Sequence, residues 1–177
     1  TYLLIAEIVA SNSGIGYELW TARRYGKTPE VFAGILTIGI IGMGSQALGH
    51  VRRLQKMTEK DNIEITAVCD IYDDRLAAAR EKYSGAREYK AYKELLASDV
   101  DAVLIATPAF LHPEHFEAAV NAKKHIFLEK PVGVDSKGVQ RVVNAAKRAD
   151  PTKRISVDFQ QRYGKDYRKA YEIVKSG

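Results

Sequence analysis

One short stretch restricts the fold more than any other. Ile38-Gly39-Ile40-Ile41-Gly42-Met43-Gly44-Ser45-Gln46-Ala47 sets a glycine-rich turn between an apolar run and a helical pattern. A strand that leaves a sheet through such a turn feeds straight into a helix. Gly42 lets the chain turn tightly. Gly44 has no side chain to keep an anion off the backbone, and Ala47 is small enough for the helix to lie against the strand. A helix starting near Ser45 aims its unpaired N–H groups and its positive dipole end at the turn, which suits a pyrophosphate. Three small residues at this spacing recur by chance, so context decides. The second apolar run, Ile63 to Cys69, ends in Asp70. That is the residue type that binds ribose hydroxyls. It lies a little beyond the usual spacing of about twenty residues, as a long first helix allows.

From Leu36 onward, strand and helix patterns alternate. Leu36 to Ile41 is a near-continuous apolar run, the mark of a parallel strand buried on both faces. Ala47, Val51 and Leu54 recur at i, i+4 and i+7, one face of a helix. Asp73 or Asp74 can cap a second helix, which runs to about Tyr83 and buries Leu76 and Ala79. Glu88-Tyr89 reads as a short third strand, Tyr92 to Leu96 as a short helix, and Val100 to Ala106 as a fourth strand ended by Thr107-Pro108. Pro113 suits a helix first turn. His125 to Glu129 reads as the fifth strand, stopped by Pro131; Asp135 or Ser136 starts a helix to Arg148; Ile155 to Phe159 reads as the sixth strand. This pattern predicts an α/β fold with a doubly wound parallel sheet. Gly42 to Ser45, Asp70, Thr107-Pro108 and Glu129-Lys130 then fall together at the carboxyl ends of the strands, where such sheets bind ligands. Tyr167, Ala170, Tyr171 and Val174 mark a last amphipathic helix.

Composition excludes several other classes. The net charge is +5, of which the tail from Gln161 to Gly177 supplies +3 with five basic and two acidic residues. That reads as a solvated helix face; no zinc-finger spacing or aromatic-flanked basic patch points to nucleic acid. Cys69 is the only cysteine, so no internal disulfide forms, and within an apolar strand it behaves as a small hydrophobe. No His/Cys/Asp/Glu set has metal-site spacing. Glu7 interrupts the first apolar run, against a signal peptide. The longest uncharged apolar stretch, Val31 to Met43, falls short of the roughly 18 residues of a spanning helix. A cytoplasmic protein without a membrane partner is expected.

From about Thr37 to Gly177 the sequence resembles the N-terminal half of the glucose–fructose oxidoreductase, inositol dehydrogenase and MocA family. The resembling residues are the Gly42–Ala47 turn, Ala67-Val68-Cys69-Asp70 followed by Arg75, Val103 to Pro108, and above all Glu129-Lys130-Pro131. The resemblance implies a Rossmann domain that binds NAD, with NADP less favoured, in an oxidoreductase that moves hydride to or from a sugar, polyol or related alcohol. It implies cofactor contacts from Gly42, Gly44, Ser45, Gln46, Ala47, Asp70, Arg75, Thr107, Pro108, His112, Glu129, Lys130 and Arg162. It further implies a catalytic Lys130 beside the nicotinamide, followed by a cis bond to Pro131. A lysine of lowered pKa can polarise or deprotonate an alcohol as hydride leaves. His112 and His115 follow the fourth strand, where the family often has histidine near the cofactor edge, and each also reads as a helix-start histidine without chemistry; His50 and His125 read as structural. In the family a second domain carries the substrate pocket, further proton-transfer groups and the usual oligomer contacts. The given chain stops at Gly177, so no second domain is expected in it. A cofactor- or partner-binding module without turnover is the alternative to an enzyme.

The beginning of the chain does not fit that family. Ala6 to Ala10, Ser13 to Tyr17 and Thr28 to Leu36 resemble the C-terminal region of a membrane permease of nitrate, taurine and sulfonate importers. This implies a junction near Gly42, although transport by such a fragment is not expected. The organisation expected is a helical or irregular leader over residues 1–34, the dinucleotide-binding domain over 35–163, and the amphipathic helix over 164–177.

Overall fold

A computed structural model describes residues 36–159 and 164–177, with the backbone alone for residues 56–61. The leader and Arg162 lie outside the described residues. The chain divides into two compact units, and the larger one, Gly34–Val157, holds the sheet.

Six strands form one sheet: β1 (Leu36–Ile41), β2 (Ile63–Cys69), β3 (Arg87–Tyr89), β4 (Ala102–Ile105), β5 (His125–Leu128) and β6 (Ile155–Val157). Their order is β3-β2-β1-β4-β5-β6, and every pairing is parallel. The order reverses direction between β1 and β4, so β1 opens a crevice at its carboxyl end, the place where doubly wound sheets bind ligands. The helices are α1 (Ser45–Asp61), α2 (Asp73–Lys82), α3 (Tyr92–Ala97), α4 (His112–Asn121) and α5 (Ser136–Lys147), with a 3₁₀ turn at Ala109–Leu111.

Strand alternation divides the core. Ile41, Cys69, Ile105 and Leu128 join one cluster with Leu95 of α3, Phe116 and Ala119 of α4, and Ala145 of α5. Ile40, Val68, Leu104 and Phe127 are their neighbours in the strands and face the other side; they too are buried, as are Ala47, Val51 and Leu54 of α1. Gly39 leaves room for α3 against β1, since a Cβ there would lie 2.6 Å from Leu95 Cδ2.

Several element ends differ from the sequence expectation. β5 stops at Leu128 because the chain turns away through Glu129, Lys130 and Pro131, and the Lys130–Pro131 bond is cis. β6 stops at Val157, short of Phe159, because Val157 pairs with Leu128 and its neighbour offers nothing further. Val100 and Ala106 lie outside β4, which ends with Ile105 against Leu128. Asp73 and Asp74 do not cap α2. Tyr72 holds that position, and both acids sit in the first turn, where their charge favours the helix dipole. Asp135 does cap α5, accepting the Gly138 N–H at 2.6 Å.

The second unit contains α6 (Lys165–Ser176). Tyr167, Tyr171 and Val174 are exposed on it. Among the described residues, no helix is long and apolar enough to cross a membrane.

Candidate functional site

The residues that follow β1, β2, β4 and β5 are tied into one edge by the sheet's own ladder. Gly42 N–H donates to Cys69 O at 2.8 Å, Ala106 N–H to Ile41 O at 2.9 Å, and Glu129 N–H to Ile105 O at 3.0 Å. The glycine turn, Asp70, Thr107 and Lys130 therefore emerge side by side, although they span much of the sequence.

The turn is built as its residues demand. Gly42 has φ +91°, and a Cβ there would lie 2.9 Å from the Ala106 carbonyl group. Only glycine fits that conformation without strain. Gly44 is the N-cap of α1, with no side chain capping the first turn and no acid within it. A Cβ on Gly44 would meet only Arg75 Nη1, at 3.8 Å. Ser45 and Gln46 are exposed, and Ala47 is fully buried against the sheet. The helix thus presents open N–H donors at an uncrowded backbone, the arrangement that favours an anion.

Asp70 braces this turn from β2. Its Oδ2 accepts the Met43 N–H at 2.8 Å and its Oδ1 accepts the Tyr72 N–H at 3.0 Å. Arg75 Nη1 lies 3.4 Å from Oδ2, with its guanidinium 4.7 Å from the Tyr72 ring centre. Two backbone bonds do not exhaust a carboxylate, which has about four acceptor positions. The bracing role was hidden in the sequence, because Met43 and Asp70 are 27 residues apart.

The β4 and β5 ends carry the remaining groups. Lys130 is exposed, and its backbone N–H donates to Glu129 Oε2 at 3.0 Å. Glu129 is buried and contacts His50 of α1 through Oε1 and Nε2. Burial pushes the Glu129 carboxyl up, but the His50 bond, the Lys130 N–H and the Lys130 charge together hold it below the ordinary glutamate value. His112, one of the cofactor contacts the resemblance implies, is 1% exposed, with Nδ1 at 2.6 Å from Pro131 O and Nε2 at 2.8 Å from Thr107 O. It reaches the edge through those carbonyls. His115 sits behind Thr107, with Nδ1 at 3.1 Å from its Oγ1; burial lowers its pKa to about 4. His125 accepts the Arg154 N–H at 3.0 Å. Pro108 is exposed. Cys69 is buried, and burial pushes its thiol up to about 12, as befits an inert core residue.

A separate shallow pocket of about 190 Å³ lies between Phe110, Val134 and Arg141.

Residues 36–159 match the family model described as "Oxidoreductase family, NAD-binding Rossmann fold". Inositol 2-dehydrogenase of Salmonella typhimurium (strain LT2) is 35% identical over 144 residues, which are 80% of this chain and 42% of that enzyme. The solved structure of scyllo-inositol dehydrogenase from Lactobacillus casei with bound NAD(H) and scyllo-inositol superposes with a TM-score of 0.71 at 26% identity, covering 80% of this chain and 41% of that one. WlbA dehydrogenase from Bordetella pertussis, in complex with NADH and UDP-GlcNAcA, gives a TM-score of 0.73 at 26% identity, covering 81% and 40%. The chain therefore spans about two fifths of the length of these relatives. With the fold, the glycine turn and the Glu129-Lys130-Pro131 corner in agreement, this chain belongs to the Gfo/Idh/MocA oxidoreductase family, in its NAD-binding Rossmann domain.

Proposed function

We propose that this chain is the cofactor-binding part of an oxidoreductase that transfers hydride between NAD and a sugar, polyol or related alcohol. The observation that carries the reading is the shared carboxyl edge, where an uncapped helix start, a buried acid and an exposed lysine converge.

The residues present fit a dinucleotide. The open N–H groups of α1 at Gly44, Ser45 and Gln46 would hold the pyrophosphate, since anions are favoured at a helix N-terminus. Asp70 would accept from the adenosine ribose hydroxyls with its remaining lone pairs. Its negative charge would oppose a 2′-phosphate, which favours NAD over NADP. Arg75 beside it softens that opposition. Thr107 and Pro108 would line the far side of the crevice. When bound, NAD supplies the hydride acceptor. Lys130 would handle the proton at the alcohol oxygen, donating a hydrogen bond to it and steadying the charge that develops there. Cofactor contact by Arg162 is part of the same proposal.

In the whole enzyme the substrate carbon must be held about 3–3.5 Å from the nicotinamide, and much of the rate comes from that positioning. The relatives named above act on inositol or were solved with scyllo-inositol or a nucleotide sugar, which supports a polyol or sugar as the substrate class. Calorimetric titration of the chain with NADH and NADPH tests the cofactor assignment. Saturable NADH binding, tighter than NADPH binding, is expected. A folded chain that binds neither would overturn it.

A further inference from the structure

Lys130 sits in a turn with no helix or strand of its own, yet its proposed role demands a fixed place. Two buried histidines hold that turn, one on each side of the lysine. On the amino side, His50 of α1 is 3% exposed and contacts the carboxylate of Glu129. The other oxygen of that carboxylate accepts the Lys130 N–H at 3.0 Å. The His50 ring also packs edge-on to Phe127 of β5, with centroids 5.3 Å apart. On the carboxyl side, His112 bridges Pro131 O and Thr107 O at 2.6 and 2.8 Å. Both of its partners are backbone carbonyls, so each contact ties the ring to the chain itself. The two rings come from different helices and meet the backbone on either side of one residue.

We propose that His50 and His112 are positioning residues that set Lys130 against the nicotinamide end of the crevice. His50 does so from the same helix whose first turn faces the pyrophosphate, so the phosphate cradle and the lysine are joined by one rigid element. This rests on the NAD reading above. Stability alone is a poor account of such contacts. Burying polar groups costs stability that well-packed apolar groups would not, whereas fully bonded buried polar groups fix one geometry.

The test compares NADH with ADP-ribose, which lacks only the nicotinamide, on the full chain. Calorimetry is run on wild type, His50→Leu, His50→Gln, His112→Leu, His112→Asn and Lys130→Ala, with circular dichroism as the folding control. The leucine variants should lose about tenfold in NADH affinity, the scale of one hydrogen bond, and keep ADP-ribose affinity within about twofold. Gln at position 50 retains a donor for Glu129, and Asn at position 112 retains one for Pro131, so both should recover most of the loss. If a leucine variant does not fold, an alanine variant at the same position takes its place, alone and combined with Lys130→Ala. In the Lys130→Ala background the histidine substitutions should cost NADH nothing further, because they act through that lysine. Equal losses of both ligands, no loss of either, or an undiminished loss without Lys130 would each overturn the proposal. Wild-type chain that binds neither ligand would overturn the NAD reading and this proposal with it.

Discussion

The two outer glycines of the turn should respond in opposite ways to the same substitution. In Gly42→Ala the new methyl group sits at φ +91°, 2.9 Å from the Ala106 carbonyl carbon and oxygen. The left-handed backbone costs about 1–2 kcal/mol for an L-residue. Crowding against backbone that cannot rotate away adds about 1–3 kcal/mol. Alanine recovers about 0.4–1 kcal/mol by restricting the unfolded chain. The net loss is about 1–4.6 kcal/mol, with a mid-range fall in Tm on the order of 10 °C for a domain of this size. Gly44→Ala meets no such penalty. Its φ and ψ are −74° and −175°, ordinary extended backbone, and its Cβ has open space apart from Arg75 Nη1 at 3.8 Å. The unfolded-chain term then stands alone, so Tm should hold or rise slightly. That methyl group would occupy the approach to the open N–H groups, however, and NADH affinity should drop at least about tenfold, or 1.4 kcal/mol. Differential scanning calorimetry and NADH titration of both variants read the two effects. Unimpaired NADH binding by Gly44→Ala would refute the phosphate approach, and a wild-type Tm for Gly42→Ala would refute the turn argument.

Three further outcomes are expected. Asp70→Ala leaves the buried Met43 N–H without its acceptor, at a cost of about 1–3 kcal/mol, and should narrow the NADH-over-NADPH preference; tighter NADPH binding unchanged by the substitution would sink the cofactor assignment. Cys69 should resist iodoacetamide until the chain unfolds. Its thiol is raised from 9.0 to about 12, so between those values the unfolded chain binds fewer protons and stability falls as pH rises, by up to about 1.4 kcal/mol per unit; Cys69→Ala should flatten that alkaline slope in urea titrations. Deleting residues 1–34, which precede the family match, should leave Tm and NADH affinity nearly unchanged, and a large loss of stability would show that the leader belongs to the core.

How much was legible in the sequence followed the range of each interaction. The four inner strands show as apolar runs because each is covered by neighbours and helices, a local property of composition. The glycine turn and Glu129-Lys130-Pro131 are local as well, and both were readable. Strand ends were not, because β6 ends where its partner β5 turns away, and no residue of β6 records that. The same limit applied to the histidines. His50 read as a structural helix residue and His112 as a cofactor contact or a helix-start histidine; what each ring binds was not legible, since their partners Glu129 and Pro131 lie 79 and 19 residues away. A buried histidine on the same helix face as Leu54 and Ala47 was the one available hint that a buried carboxylate had to be found elsewhere in the chain.

We propose an NAD site at the carboxyl edge of this sheet, and an amide-resolved NMR titration of the chain with NADH reads it residue by residue. Saturable shifts are expected at Gly44, Ser45, Gln46, Asp70, Thr107 and Lys130, with little change along β6. A chain that gives a folded spectrum but shows no shifts, or shifts confined to the pocket between Phe110, Val134 and Arg141, would contradict it.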